Sequence, residues 1–296
     1  MSDDASALLK RAAATEFYRD RVAQGTEWSR IPLTRRDDLV RDQLARPPFG
    51  RRRLPGAAHP VRVGVTGNGD DVLVLPWSER ELALERAAGT RMLARLGVAS
   101  GTAIANTLAG ALAAPGSLLF GDVVEEHGAL DVPLGAIESD PAAKQAWELV
   151  DRVTPSMLTM ELATATRFLA AAPVASRPWL TGIVWLQRAP AASAAVEVPN
   201  AVGFAGWQRR WLSVAEAASF VASTCARGAF HADEGVRVEI TDDAGSPLAA
   251  GDSGIVVVTP LEGESALLRY ASGLRGHSLA SRCGCGGGGT AFELIA

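Results

Sequence analysis

The chain has 296 residues, 48% of them apolar and 21% charged, and its 29 Lys and Arg stand against 33 Asp and Glu for a net charge of −4. This is the composition of a folded globular protein with one large domain or two ordinary ones, and it excludes disordered, collagen-like and coiled-coil architectures. The slight acidic excess leaves no electrostatic footprint for nucleic acid, and the basic cluster of Arg51, Arg52 and Arg53, set among prolines, reads as solvated surface.

The amino terminus is acidic and has no apolar core of a secretory signal, so a cytoplasmic protein is expected. Residues 1–60 read as a helical segment. Helical spacing runs over 6–21, and Thr34 is placed to cap a second helix with Asp37 and Asp38 in its first turn. VRVGV (61–65) and VLVLP (72–76) read as two strands joined by the turn-forming TGNGDD, a hairpin-like unit. Ser78 with Glu81 forms a capping box for a long helix that Gly97 stops.

Residues 96–121 carry no charge and are long enough to span a bilayer. Ala, Gly, Ser and Thr dominate them, however, with Asn106 and Pro115 inside, so a buried strand, a small-residue loop and a packed helix are expected instead. Helices over 141–153 and 163–171 alternate with strands at MLTM (157–160) and GIVWL (182–186), which predicts parallel βαβ units and an α/β core over 61–230. From 231 to 296 the pattern turns β-rich. VRVEI (236–240) and IVVVT (255–259) form an antiparallel pair, and the tail carries a glycine run that reads as flexible.

All three cysteines have informative positions. Cys225 precedes His231 by six residues, and Cys283 with Cys285 makes a C-x-C pair followed by Gly286. Zinc takes four tetrahedral N/S ligands, and a Cys3His set is a closed structural site that holds no reactive water. Three free thiols and an unrelated histidine are the alternative that spacing leaves open.

Several segments resemble the phenylacetate–CoA ligase branch of the adenylate-forming superfamily. FYRDR (17–21) with IPLTRRDDLVRD (31–42) is similar to its opening helix and Thr-Lys-x-Asp-Leu segment. SPLAAGDSGIVVVTPL (246–261), LLRYASGLRG (267–276) and RCGCGG (282–287) resemble its Pro-Leu hairpin, its Arg-Tyr-x-Thr-Gly-Asp motif and its Cys-Pro-Cys-Gly motif. The resemblance implies the large N-terminal α/β domain of such an enzyme, with Cys225, His231, Cys283 and Cys285 as a zinc knuckle in the β-rich part. It also implies that the C-terminal lid is missing, because the chain stops eleven residues after Cys285.

The nucleotide motifs of that family match poorly. VTGNGDD (65–71) resembles a degenerate phosphate loop with Asp70 in the place of lysine, and a carboxylate there repels a triphosphate. The Tyr-Gly-x-x-Glu motif is read at 204–208, which puts neutral Gln208 where a magnesium-binding Glu is expected. The Gly-Asp that holds ribose is read as Gly273-Leu274. ATP and magnesium are therefore not expected cofactors.

The acyl pocket implied by the resemblance lies beneath Asn106, Thr107, Leu108, Ala109 and Gly110. Its walls are drawn from Thr159, Met160, Gln187, Arg188, Ala189 and Pro190, with Phe204, Trp207 and Arg269 as further candidates. Trp207 has packing, and Arg269 a core carboxylate, as the plainer alternative. Glu161, Arg188, Gln208 and His277 are the candidate catalytic groups. The expected function is binding of a small, aromatic carboxylate or acyl thioester and a non-adenylating step of cyclisation, condensation or lyase type in bacterial specialised metabolism. The alternatives are a non-catalytic partner of an active ligase or carrier protein, which could also be a homodimer, and a residual ATP-dependent ligase. No membrane partner is expected.

Overall fold

The computed structural model describes residues 3–22, 26–67, 69–110, 116–172, 174–189 and 204–295. Asn68 of the expected turn and Pro190 of the expected pocket wall lie outside them. The chain begins with α1 (Asp3–Ala13) and α2 (Arg36–Ala45), followed by β1 (Arg62–Thr66), β2 (Leu73–Trp77) and α3 (Glu79–Arg95). Then come β3 (Ala103–Asn106), α4 (Ser117–Glu126), β4 (Leu130–Pro133), α5 (Asp140–Val153), β5 (Met157–Glu161), α6 (Leu162–Ala171) and β6 (Gly182–Arg188). The rest is strand: β7 (Trp207–Val214), β8 (Ala218–Thr224), β9 (Phe230–Ala232), β10 (Val236–Thr241), β11 (Gly254–Pro260), β12 (Tyr270–Ser278) and β13 (Ala291–Leu294).

Eleven strands join one sheet in the order β10-β11-β12-β13-β9-β8-β7-β6-β5-β3-β4, and β1 and β2 form a separate antiparallel hairpin. Pairing is parallel from β4 through β7 and antiparallel from there to β10. The parallel half is apolar on both faces, as helix-covered strands must be. On one face Val184, Leu186 and Trp211 pack with Leu93 of α3 and Phe120 and Val123 of α4. On the other, Leu158, Met160, Ile183 and Trp185 pack with Trp147 of α5 and Phe168 of α6. The indole of Trp147 stacks on Phe168 at 4.3 Å, and Trp211 lies between Phe120 and Phe220 at 5.4 and 4.7 Å. Gly89 lets α3 approach α4 closely, since a Cβ there would run into Val123 and Phe220. Among the described residues, no helix is long and apolar enough to cross a membrane.

Local signals place several elements well. Ser78 caps α3 as expected, accepting from the Glu81 amide at 3.2 Å while the Glu81 carboxylate takes the Ser78 amide at 2.9 Å. Two expectations change. Thr34 is not the cap of α2: its hydroxyl is buried and bonds the Leu268 carbonyl at 2.8 Å, and the Asp38 carboxylate instead accepts from the Arg35 amide at 2.9 Å. The glycine-rich tail is not a loose end, because β13 inserts between β12 and β9. Partners on both sides outweigh the weak strand propensity of the run before it.

Candidate functional site

The insertion of β13 has a chemical consequence. Ala291 pairs with His231 and Phe292 with Phe230, so the loop 279–290 is folded back over the β8–β9 turn. Cys225 opens that turn, His231 sits in β9, and the loop brings Cys283 and Cys285 to them. Four ligand atoms, one from each residue, lie within 4.8 Å of one another. The Cys225 and Cys283 sulfurs are 3.7 Å apart, and Cys285 Sγ is 3.2 Å from His231 Nε2. A tetrahedral zinc site has edges of about 3.7 Å between thiolates and ~3.5 Å between thiolate and imidazole.

The surroundings suit a cation. His231 Nδ1 lies 3.0 Å from the Gly288 carbonyl, which can only accept, so Nδ1 carries the proton and Nε2 presents its lone pair to the sulfurs. The Arg227 and Gly287 amides donate to Cys225 and Cys285 at 3.4 and 3.3 Å, and the Gly287 amide holds the Cys285 thiol below its usual range. A Cβ on Gly287 would meet the His231 ring at 3.2 Å and Cys285 Sγ at 3.3 Å, so the wrap leaves no room for a side chain.

A second region lies at the carboxyl ends of the parallel strands, where open α/β sheets bind ligands. Asn106, Thr159, Glu161, Gln187, Arg188 and Ser213 lie toward those strand ends, with Gln187 on the sheet face opposite Thr159 and Ser213. Asn106 ends β3 and donates to Asp131 at 2.6 Å, and burial raises the Asp131 carboxyl. Thr107 bonds the Thr159 carbonyl through its amide at 3.0 Å. Glu161 and Arg188 pair at 2.9 Å. Among the described residues, the Thr159 hydroxyl, the Ser213 hydroxyl and both amide atoms of Gln187 are buried with no hydrogen-bond partner.

Other candidates stand elsewhere. Met160 and Leu108 are fully buried in the core, Ala109 is half-buried and Gly110 is exposed at the mouth of the same edge. Gly182 pairs with Trp207 and Ile183 with Gln208, so Phe204, Trp207 and Gln208 belong to the amino-terminal edge of the parallel strands. Five residues at ~3.3 Å each separate them from Arg188, about 17 Å. Gln208 is spent there as acceptor for the Trp185 indole at 2.9 Å. Arg269 is fully buried: it donates to the Ile31 carbonyl at 2.7 Å and stands 3.7 Å from Glu239, a structural role. His277 lies on β12 beside Glu293 at 3.6 Å, five strands from β6, or about 24 Å at ~4.8 Å per strand.

The carboxylate that faces the β1–β2 hairpin is Glu216, at the β7–β8 turn, and not Gln208. It accepts from the Thr66 hydroxyl at 3.2 Å and is ion-paired with Arg36. Burial raises its carboxyl above the ordinary range. Arg36 also bonds the Thr66 carbonyl at 3.0 Å and pairs with Asp71 at 3.4 Å, so its guanidinium ties the hairpin to the sheet. The residues here do not fit a magnesium triphosphate: the hairpin contributes Asp70 and Asp71, Glu216 is already paired, and Leu274 is buried in the apolar core. No local pattern in the sequence marks Glu216. Its alanine-rich neighbourhood resembles no motif, and only the fold of β7 brings it to Thr66.

No protein-family model and no curated protein sequence matches the chain. Solved structures do. A 2-hydroxyisobutyryl-CoA ligase in an open conformation with 2-HIB-AMP and CoA superposes with a TM-score of 0.84 at 18% identity, over 98% of this chain and 71% of that one. An anthranilate-CoA ligase with anthranoyl-AMP gives 0.56 at 14% identity, over 83% and 48%. A long-chain-fatty-acid-CoA ligase from Archaeoglobus fulgidus gives 0.55 at 11%, over 83% and 54%. The chain spans about half the length of the last two. Its fold is that of the large domain of adenylate-forming acyl-CoA ligases.

Proposed function

We propose that this domain binds a small carboxylate or acyl thioester at the carboxyl ends of its parallel strands and acts on it without adenylation. The observation that carries the reading is the Gln187 amide near the end of β6, buried with neither Nε2 nor Oε1 hydrogen-bonded among the described residues; the Thr159 and Ser213 hydroxyls on the other face of the sheet are likewise unmet. Leaving such groups unmet costs ~1–3 kcal/mol each, a cost that a bound ligand would remove. Amide and hydroxyl donors suit a carboxylate or thioester carbonyl. The 2-hydroxyisobutyryl-CoA ligase holds 2-HIB-AMP and CoA and the anthranilate-CoA ligase holds anthranoyl-AMP, which supports the substrate class.

The hairpin supports a non-adenylating step, because Arg36 and Glu216 neutralise each other and the loop adds carboxylates. Cyclisation, condensation or lyase chemistry in specialised metabolism is the class we assign, with Glu161 and Arg188 as the charged pair nearest the ligand. We further propose that Cys225, His231, Cys283 and Cys285 hold one structural zinc, which would clamp the tail to the β8–β9 turn and supply no reactive water.

Thermal shift of the full chain against aromatic acids and their CoA thioesters tests the first claim. Stabilisation by at least one, lost in Gln187→Leu, is expected, and no shift with any of them overturns it. Titration calorimetry with ATP and magnesium is expected to show no binding heat. Elemental analysis of chelator-free protein is expected to find one zinc per chain.

A further inference from the structure

A cavity of about 380 Å³ opens between α3 and the turns β7–β8, β9–β10 and β11–β12. That is the small end of the ~300–1,000 Å³ range of ligand sites. None of the strand-end residues Asn106, Thr159, Glu161, Gln187, Arg188 or Ser213 lines it. Its apolar walls include Leu75, Trp77, Leu84, Ala88 and Phe220.

Most charged groups in its wall are already engaged. Arg91 grips Asp233 with two bonds of 3.0 and 2.6 Å. Glu81 caps α3, accepts from the Glu264 amide at 2.9 Å and pairs with Arg53 at 3.3 Å. Three groups are left over. Arg52 is only 6% exposed, yet among the described residues its guanidinium makes no hydrogen bond and no ion pair. The second oxygen of Glu216, Oε2, has no hydrogen bond among the described residues, while its first is paired with Arg36. The Glu85 carboxylate takes only the Ser219 amide, at 3.1 Å. The basic cluster expected to be solvated is thus split: Arg51 reaches Asp42 at 2.6 Å, Arg53 reaches Glu81, and Arg52 turns into the cavity.

Arg52 and Glu216 attract each other across this space without a direct hydrogen bond, and a buried cation and a buried acceptor oxygen so placed suit a ligand that carries both charges. A simple carboxylate would meet Arg52 and leave Glu216 Oε2 and Glu85 without a further donor. A simple amine would do the reverse. A divalent cation would be repelled by Arg52. We propose that this cavity binds an α-amino acid with an apolar side chain, its carboxylate on Arg52, its ammonium on Glu216 and Glu85, and its side chain against Leu84, Ala88 and Phe220. The geometry makes it a site separate from the strand ends, and it stands whether or not those bind an acyl group.

Titration calorimetry of the full chain with L-leucine and L-phenylalanine tests this. At least one is expected to bind, with at least tenfold weaker binding of 4-methylpentanoate, of 3-phenylpropanoate and of 2-phenylethylamine. Arg52→Met and Glu216→Gln are each expected to weaken binding tenfold or more with an unchanged circular dichroism spectrum. Ala88→Phe, which fills the space without touching a charge, is expected to abolish it and keeps the test open if either charge variant misfolds. The proposal is overturned if neither amino acid binds, if an analogue lacking one charge binds equally well, or if Ala88→Phe binds normally.

Discussion

The Cys/His cluster and the α3 cavity each gather polar side chains from distant parts of the chain and resolve them in opposite ways. In the cluster every reactive atom faces another: sulfurs at 3.7 Å, sulfur to imidazole at 3.2 Å, and the remaining ring nitrogen on a carbonyl. In the cavity, Arg52 and Glu216 Oε2 are buried and make no hydrogen bond among the described residues. A region whose polar groups satisfy one another is committed to architecture. One that leaves them unmet carries a cost that only a ligand removes. The same substitution should therefore cost stability in the first and add it in the second.

Cys283→Ser breaks the cluster most directly. Loss of about 3 kcal/mol or more and of the bound metal is expected, read by chemical denaturation and elemental analysis, because metal binding energy is folding energy. An unchanged denaturation midpoint would sink the contrast.

Glu85→Gln comes next, with the opposite sign. Burial pushes the Glu85 carboxyl up to about 7, with Glu81 and Asp233 adding repulsion. Since the folded-state value is raised, the folded protein holds this proton more tightly than the unfolded chain. Its stabilising contribution is present in full below about 4.5 and is lost as pH rises through about 7. Gln keeps an acceptor for the Ser219 amide and cannot ionise. The variant should thus be more stable than wild type by on the order of 2 kcal/mol at pH 8, with the gain gone by pH 4.5. Thermal melts across that range check it, and a gain that grows toward acid would contradict the sign.

Arg52→Met should stabilise the ligand-free protein by about 1 kcal/mol, since it replaces an unpaired buried cation by an apolar chain of similar length. Urea unfolding would measure it, and a loss of 1 kcal/mol would show that Arg52 is committed to the fold after all. The smallest effect belongs to Asp70→Asn, at an exposed turn. A change within about 0.5 kcal/mol is expected in the same assay.

Reading from one end of the chain to the other, legibility tracks how local the determining interaction is. The α3 capping box, the β1–β2 hairpin, the β5 and β6 runs and the β10–β11 pair are written in contiguous residues, and the structure has them within a residue or two. The Cys/His set was legible because few residue types bind soft metals and all the cysteines joined it. Strands β7, β8, β12 and β13 escaped the sequence reading because their strand character comes from neighbours far along the chain. Trp207, Gln208, Arg269 and His277 were drawn to the wrong places for the same reason, since motif likeness carries no information about which edge of a sheet a residue occupies.

Composition and local pattern therefore determined the α/β class, the order of its helices and the membership of the Cys/His cluster, because caps, periodicity and ligand chemistry act over a few residues. Tertiary structure alone decided which polar groups remain unmet. Arg52 reads as one of three surface arginines until α3 and the β-turns close over it, and Glu216 reads as an ordinary loop carboxylate until β7 carries it to Thr66. Burial and pairing are sums over the whole fold, so no window of sequence contains them.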